Sequence, residues 1–349
     1  MKSGKRQRKE RRQLKGVCRI QQLPHALVMD ILSRLSSVKI LFNCRRVCKE
    51  WFNIISDPQF ARLQLPRSSI GVAMLIQSYS DRKQQSNLDF TYIEEKAGSS
   101  QPWLERKKFA PLPISKYALI NSCNGLLCLT GSKEGEFSFS FYVCNPILGQ
   151  YITLPIPSPT FKKAWNGLCC MNDFVALGFS ASANKYKVLQ TDYGTREAFI
   201  YILSTRVWKS IGKAPTGTFC LSFNALLHES LHWISYGNPY PYWRIYSFNF
   251  EREKFRSLPP PSIDDQKMDN LLRLGVLESS LLLCVFPRHR VRCNGWVMKN
   301  YGVQESWTKA FVVDRNPQFA RTGVYEPILF LSDGEILMKS DCGVIRYNL

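Results

Sequence analysis

The amino-acid sequence predicts two unlike parts: a small all-α unit of three helices, then a large all-β domain. The β domain reads as a β-propeller of about six blades, with a β-sandwich as the alternative. Three observations lead there. Apolar residues recur at helical spacing between residues 21 and 65. Past Pro66 that period gives way to short apolar or alternating runs, separated by clusters of Gly, Asn, Asp and Pro. Those runs repeat, with an aromatic residue at matching places at 151, 208, 255 and 307, a period of 47 to 57 residues.

In the first part, Leu23, Leu27, Ile31, Leu32 and Leu35 share one helical face. Pro24 stands in the first turn, where its missing N–H leaves no bond unmade. Ser36 and Ser37 interrupt the pattern and suit the N-cap of a second helix, whose apolar side is Val38, Leu41 and Phe42. A third helix runs from Val47 through Trp51 to Ile55, and Asp57-Pro58 reads as its stop. Three helices in so short a span bury little by themselves. They either keep an apolar surface for a partner or pack on the domain that follows.

In the second part, Phe141 to Asn145 leads to Tyr151, and Phe199 to Thr205 leads to Trp208. Tyr246 to Arg252 likewise leads to Phe255, and Val297 to Gly302 to Trp307. Each unit is a strand, a polar turn and an aromatic strand, followed by Leu-Pro or something like it. An earlier copy ends at Phe109 to Pro113, behind an insertion over residues 80–105 that is rich in Gly and Ser near residue 98. Further strands fall between the hairpins, at Gly125 to Leu129, Lys187 to Gln190, Leu226 to Trp233 and Leu329 to Leu337. Four strands per period is the mark of a propeller blade. The last copy reaches only Val344 to Leu349, so either the strand Val72 to Ile76 completes it or that blade stays short.

Composition narrows the function. Aromatics at 13% and charged residues at 21% argue against disorder over most of the length. No apolar run reaches the length of a membrane span, and the basic, polar N-terminus does not resemble a secretory signal. A reducing compartment, nucleus and/or cytoplasm, is therefore expected. The twelve cysteines agree, most standing singly in apolar runs such as those around Cys128 and Cys284. No CxxC pair occurs, and neither a metal site nor a cofactor is expected. The formal charge is +20, of which a net +7 falls in residues 1–15. Residues 1–20 read as a disordered basic tail, suited to nuclear import, to attraction by a phosphate backbone, or simply to solvation.

The string from Leu23-Pro24 through Ile31-Leu32, Leu35, Leu41, Cys44, Val47-Cys48-Lys49 and Trp51 to Asp57-Pro58 and Phe60 resembles the F-box. One departure is clear. Where that family reads Leu-Pro-Val-Lys, this chain has Leu35-Ser36-Ser37-Val38-Lys39, a turn one residue longer and without the proline. The resemblance implies docking of residues 21–65 on a Skp-family linker protein and, through it, on a cullin-RING ubiquitin ligase. Carried over by position, the linker-binding candidates are Leu23, Pro24, Leu27, Ile31, Leu32, Leu35, Leu41, Val47, Cys48 and Trp51. Some of these must instead hold the helices together, and Trp51 suits both roles. Residues 70–349 resemble the F-box-associated, kelch- or propeller-like domain of the large plant family. There Asn-Gly-Leu-Leu-Cys-Leu (Asn124 to Leu129), Asn-Pro (Asn145) and Leu-His-Trp (Leu231 to Trp233) recur in this order. The resemblance implies a non-catalytic adaptor of an SCF-type ligase whose β domain holds the protein to be ubiquitinated.

Other motifs compete with that reading. His228-Glu229-Ser230-Leu231-His232 satisfies the H-E-x-x-H pattern of zinc proteases, which needs both imidazoles on one face of a helix. Its flanks read as a hairpin with Glu-Ser at the turn, and on a strand residues four apart stand about 13 Å from each other. No Ser/His/Asp or Cys/His spacing offers a nucleophile, and no glycine-rich loop precedes a helix. Target-binding candidates are Tyr240, Tyr242 and Trp243, with Arg288, Arg290 and Arg292 able to hold a phosphate. The alternative function is a basic nucleic-acid-binding protein working through its tail and surface lysines.

Overall fold

The computed structural model describes residues 23–35, 38–64, 67, 71–80, 85–94, 103–108, 116–132, 140–145, 150–157, 174–192, 194–215, 218–220, 225–236, 243–263, 270–277, 279–287, 292–314, 326–330, 335–340 and 343–348. The chain divides into two compact units, Met1–Leu75 with Phe90–Lys107 and Ile76–Asp89 with Lys108–Leu349.

Among its described residues the first unit holds four helices, α1 His25–Ser33, α2 Val38–Cys44, α3 Lys49–Ser56 and α4 Pro58–Gln64. That is one more than the three expected. Asp57-Pro58 ends α3, as expected, and also begins α4. The Asp57 carboxylate accepts from the Gln59 N–H at 2.8 Å, and proline occupies the first helical position, where it donates to nothing. Val28, Leu32, Leu41, Ile54 and Phe60 form the core, with Leu23, Leu35 and Trp51 packed against it. The buried apolar residues of α1 are thus Val28 and Leu32, turned one residue from the face expected at Leu27 and Ile31, with Leu35 packed against the core just beyond the helix. Ser36 and Ser37 lie outside the described residues.

Among the described residues twenty-three strands form six sheets, matching the roughly six blades expected. Sheet A is β1 Gly71–Ser80, β2 Gln85–Glu94 and β3 Trp103–Lys108. Sheet B is β4 Lys116–Cys123, β5 Leu126–Ser132, β6 Ser140–Asn145 and β7 Gln150–Thr153. Sheet C is β8 Phe174–Ser180, β9 Lys185–Thr191, β10 Glu197–Ile202 and β11 Val207–Lys213. Sheet D is β12 Thr218–Cys220, β13 Leu226–Leu227, β14 Ser230–Tyr236, β15 Trp243–Asn249 and β16 Lys254–Leu258. Sheet E is β17 Asn270–Leu277, β18 Ser280–Pro287, β19 Arg292–Met298 and β20 Trp307–Asp314. Sheet F is β21 Glu326–Phe330, β22 Glu335–Ser340 and β23 Gly343–Asn348.

Two expectations change. The strand near Val72 belongs to sheet A, beside β2, and does not complete sheet F. Much of the insertion expected over residues 80–105 is strand, β2 above all. The copy ending at Phe109 to Pro113 lies outside the described residues.

Consecutive sheets share cores. Val175, Leu177 and Val188 of sheet C pack with Cys128, Phe141 and Val143 of sheet B. Their strand neighbours Phe174, Ala176 and Leu189 turn the other way, onto Leu231, Trp233 and Phe248 of sheet D. Sheets D and E join through Ile234, Ile245, Leu274 and Leu283, and sheets E and F through Phe286, Phe311, Ile336 and Met338. A sheet buried on both faces needs apolar residues at every position, which explains continuous runs such as Leu281 to Phe286. Glycine marks the tightest approach: a Cβ on Gly178 would stand 2.1 Å from the Phe250 ring. Cys123, Cys128, Cys144, Cys284 and Cys293 are buried as free thiols, and burial pushes those of Cys123 and Cys144 up to about 12.

Two of the repeated aromatics, Trp208 and Trp307, latch onto the proline of a Leu-Pro pair in the preceding repeat. The Trp208 indole of sheet C donates to the Pro155 carbonyl of sheet B at 2.9 Å. Trp307 of sheet E donates to the Pro259 carbonyl of sheet D at the same distance. Sheet D has Phe255 at the equivalent place, which has no N–H to give. Its turn instead grips sheet C with charge: Lys187 donates to the Phe250 carbonyl at 2.7 Å and meets Glu253 at 2.9 Å. Glu253 also holds Lys209 at 2.8 Å, and Glu251 accepts from Ser180 and Ser182. Sheets B and C are tied further by Asn121, whose buried carboxamide donates to the Leu177 carbonyl and accepts from its N–H.

The H-E-x-x-H residues are built into this scaffold. The turn between β13 and β14 is His228-Glu229, both in the left-handed region at φ 48° and 58°, one residue before the Glu-Ser expected. His232 is fully buried on β14. Its Nδ1–H donates to the Ala225 carbonyl at 2.8 Å, so Nε2 accepts from the Tyr301 hydroxyl at 2.6 Å. Both ring nitrogens are therefore engaged within the domain. Burial lowers the His232 pKa to about 4, the Ala225 bond opposes that, and His228 adds to it. The unfolded chain then binds a proton that the folded one refuses, so stability is full above about pH 6.5 and falls as pH drops toward 4. The loss approaches about 3 kcal/mol. Denaturant midpoints measured from pH 7.5 to 4.5 should fall more steeply in the wild type than in His232→Gln, and equal slopes would remove His232 from the account.

Candidate protein-docking surfaces

The helical unit closes its core yet leaves apolar side chains outside it. Among the residues whose side chains are described, Leu27, Ile31, Ile40, Val47, Phe52 and Leu63 are the large exposed hydrophobics of the helices and their turns, against five in sheets B to F and their connections. So many in so few residues mark a surface meant to be covered. Leu27 and Ile31, 50% and 51% exposed, stand one turn apart on α1 and form a single ridge. Of the ten candidates from sequence, Leu32 and Leu41 are buried, while Leu23, Leu35 and Trp51 pack against the core. Pro24, Leu27, Ile31 and Val47 are exposed, and Cys48 is half-buried. Ile40, Phe52 and Leu63 were absent from that set. Phe52 is detectable as the apolar residue of α3 lying off the stripe of Trp51, Ile54 and Ile55.

Polar contacts fix this surface. Cys48 is the N-cap of α3, its sulfur accepting from the Trp51 N–H at 3.5 Å. Asp30 receives Arg67 at 2.8 Å and Arg34 at 2.9 Å, and those bonds hold its carboxyl below the usual carboxylate value. Arg67 also reaches the Ser33 hydroxyl, clipping the chain beyond α4 to α1. The Arg45 guanidinium lies over the Phe52 ring, 4.6 Å from its centroid, and donates to the Ser56 hydroxyl.

In the β domain, Tyr240, Tyr242, Arg288 and Arg290 lie outside the described residues. Trp243 opens β15 opposite Tyr236, half-buried against the core shared by sheets D and E. Arg292 opens β19 opposite Asp314 and is exposed. In sequence, residues 237–242 fall between β14 and β15 of sheet D, and residues 288–291 between β18 and β19 of sheet E.

A small helical unit with an uncovered apolar face, followed by repeated antiparallel sheets, defines a two-module protein of the β-propeller class. The chain belongs to the family with an F-box associated beta propeller domain, whose model matches residues 76–341, and an F-box-like model matches residues 20–63. Its relatives carry the same name. It is 27% identical to the F-box protein At3g07870 of Arabidopsis thaliana over 84% of this chain and 73% of that one. The F-box protein CPR1 and the F-box/kelch-repeat protein At3g23880, both of Arabidopsis thaliana, are 23% and 24% identical. They cover 89% and 93% of this chain and 78% and 87% of their own lengths.

Proposed function

We propose that this chain is a substrate-receptor subunit of an SCF-type ubiquitin ligase. The helical unit docks on a Skp-family linker protein and the β domain holds the protein to be modified. The observation that carries the reading is the Leu27–Ile31 ridge, with Val47 and Phe52, uncovered beside a complete core. F-box proteins are in general non-catalytic adaptors, and this one would act by proximity, making transfer from a charged conjugating enzyme effectively intramolecular. The target-facing residues under this reading are Tyr240, Tyr242, Trp243, Arg288, Arg290 and Arg292, on connections carried by consecutive sheets.

Leu27→Glu with Ile31→Glu tests it. Neither side chain belongs to the core, so the double variant should fold, while a charged ridge should weaken linker capture about thirtyfold or more. Leu32→Ala makes the contrast, because it opens a cavity costing about 2–5 kcal/mol and should unfold the helical unit. Titration of the purified chain with a recombinant Skp-family linker decides the matter. Failure of the wild type to bind the linker would overturn the function, and unchanged binding by the double variant would overturn the ridge.

A further inference from the structure

The turn between α2 and α3 carries charge that the helical unit does not neutralise. Arg45, Arg46 and Lys49 make no ion pair among the described residues, whereas Asp30 is shared by two arginines. The Nε of Arg45 is buried without a partner, its Nη2 reaches only the neutral Ser56 hydroxyl, and its guanidinium plane covers Phe52. Glu50 is the one acid among these residues, exposed in the first turn of α3. Two apolar side chains share the turn with the cations: Val47 is 63% exposed and Phe52 46%. A ring fixed beneath a guanidinium is a preformed contact with little rotamer freedom left to lose, which is the character of a binding anchor.

We infer that this turn docks a carboxylate-rich segment of the linker protein, with Phe52 as the aromatic anchor and Arg45, Arg46 and Lys49 as its cationic frame. This rests on the reading of the chain as a linker-bound receptor. The partner must therefore offer an apolar slot bordered by Asp and Glu. Trp51, half-buried against the helical core, supports the helices from within, and Phe52 is presented. Arg45 is a positioning residue for that ring as well as a charge.

Linker binding by the full chain should be measured by titration at about 50 and 500 mM salt, where screening separates charge from apolar contact. The wild type should weaken roughly tenfold across that range. Arg45→Gln, Arg46→Gln and Lys49→Gln together should bind about tenfold more weakly at low salt and lose most of the salt dependence. Phe52→Ala should weaken binding at both salts alike. Thermal melts are the folding control, and Arg45→Lys, which keeps the charge but loses the flat guanidinium stack, should retain the salt dependence with reduced affinity. Wild-type affinity and salt response in the triple variant would overturn the inference and leave the receptor reading standing. No linker binding by the wild type would overturn the receptor reading itself.

Discussion

Trp233→Ala is expected to cost the β domain about 3–5 kcal/mol and to lower its melting temperature by roughly 6–20 °C. The indole is fully buried where sheets C and D meet. Its ring lies 5.0 Å from Phe174 of sheet C, with Phe255 at 6.1 Å and Tyr246 at 6.2 Å on its own sheet. These neighbours are rigid rings in edge and tilted contact, so they cannot flow into the space that alanine would leave. Trp233→Phe keeps much of the volume and should fall between the two. A calorimetric melt of Trp233→Ala within 2 °C of the wild type, on the order of an exposed-site substitution, would mean that the C–D core is not what holds these sheets together.

Glu253→Gln comes next, at about 3–5 kcal/mol. Lys187 reaches Glu253 from between the sheets with a side chain only 6% exposed, so removing the carboxylate strands an ammonium away from water. Lys187→Met should cost less, since it leaves Glu253 with the exposed Lys209. The double variant should recover part of the loss, because it removes the stranded charge along with its partner. The pH dependence has a definite sign. Burial by itself would raise the Glu253 pKa, but the bonds from Lys209 and Lys187 outweigh it and the result is a lowering. The contribution is therefore complete above the unfolded carboxylate value and disappears as pH falls through the lower folded one. Chemical denaturation of all three variants checks the ranking, and a Lys187→Met loss larger than that of Glu253→Gln would reverse the argument.

Much of the β domain was legible as sequence because a hairpin is a local object. The four aromatic strands pair where the repeat puts them: Cys144 faces Tyr151, Tyr201 faces Trp208, Phe248 faces Phe255 and Met298 faces Trp307. Errors arose where one residue type serves two purposes. Asp57-Pro58 ends one helix and begins the next, and only the Gln59 bond reveals the second role. His228-Glu229 and Glu229-Ser230 are both polar pairs between apolar runs, and only left-handed backbone marks the true turn.

The sequence by itself determined the division into a helical unit and repeated sheets, the sheet number, and the F-box pattern from Leu23 to Phe60. Each of these rests on spacing along the chain, which polypeptide geometry converts directly into a face or a turn. The tertiary structure decided which apolar residues are covered. Leu27 and Val28 are adjacent and equally apolar, yet the first is half-exposed and the second 2% exposed. It also decided that Trp208 and Trp307 latch onto prolines about fifty residues earlier while Phe255 leaves its junction to Lys187 and Glu253. The cause is common to both: a helix turned by one residue, or a strand buried on both faces, keeps the same local pattern. Its neighbours come from distant segments whose approach no local period encodes.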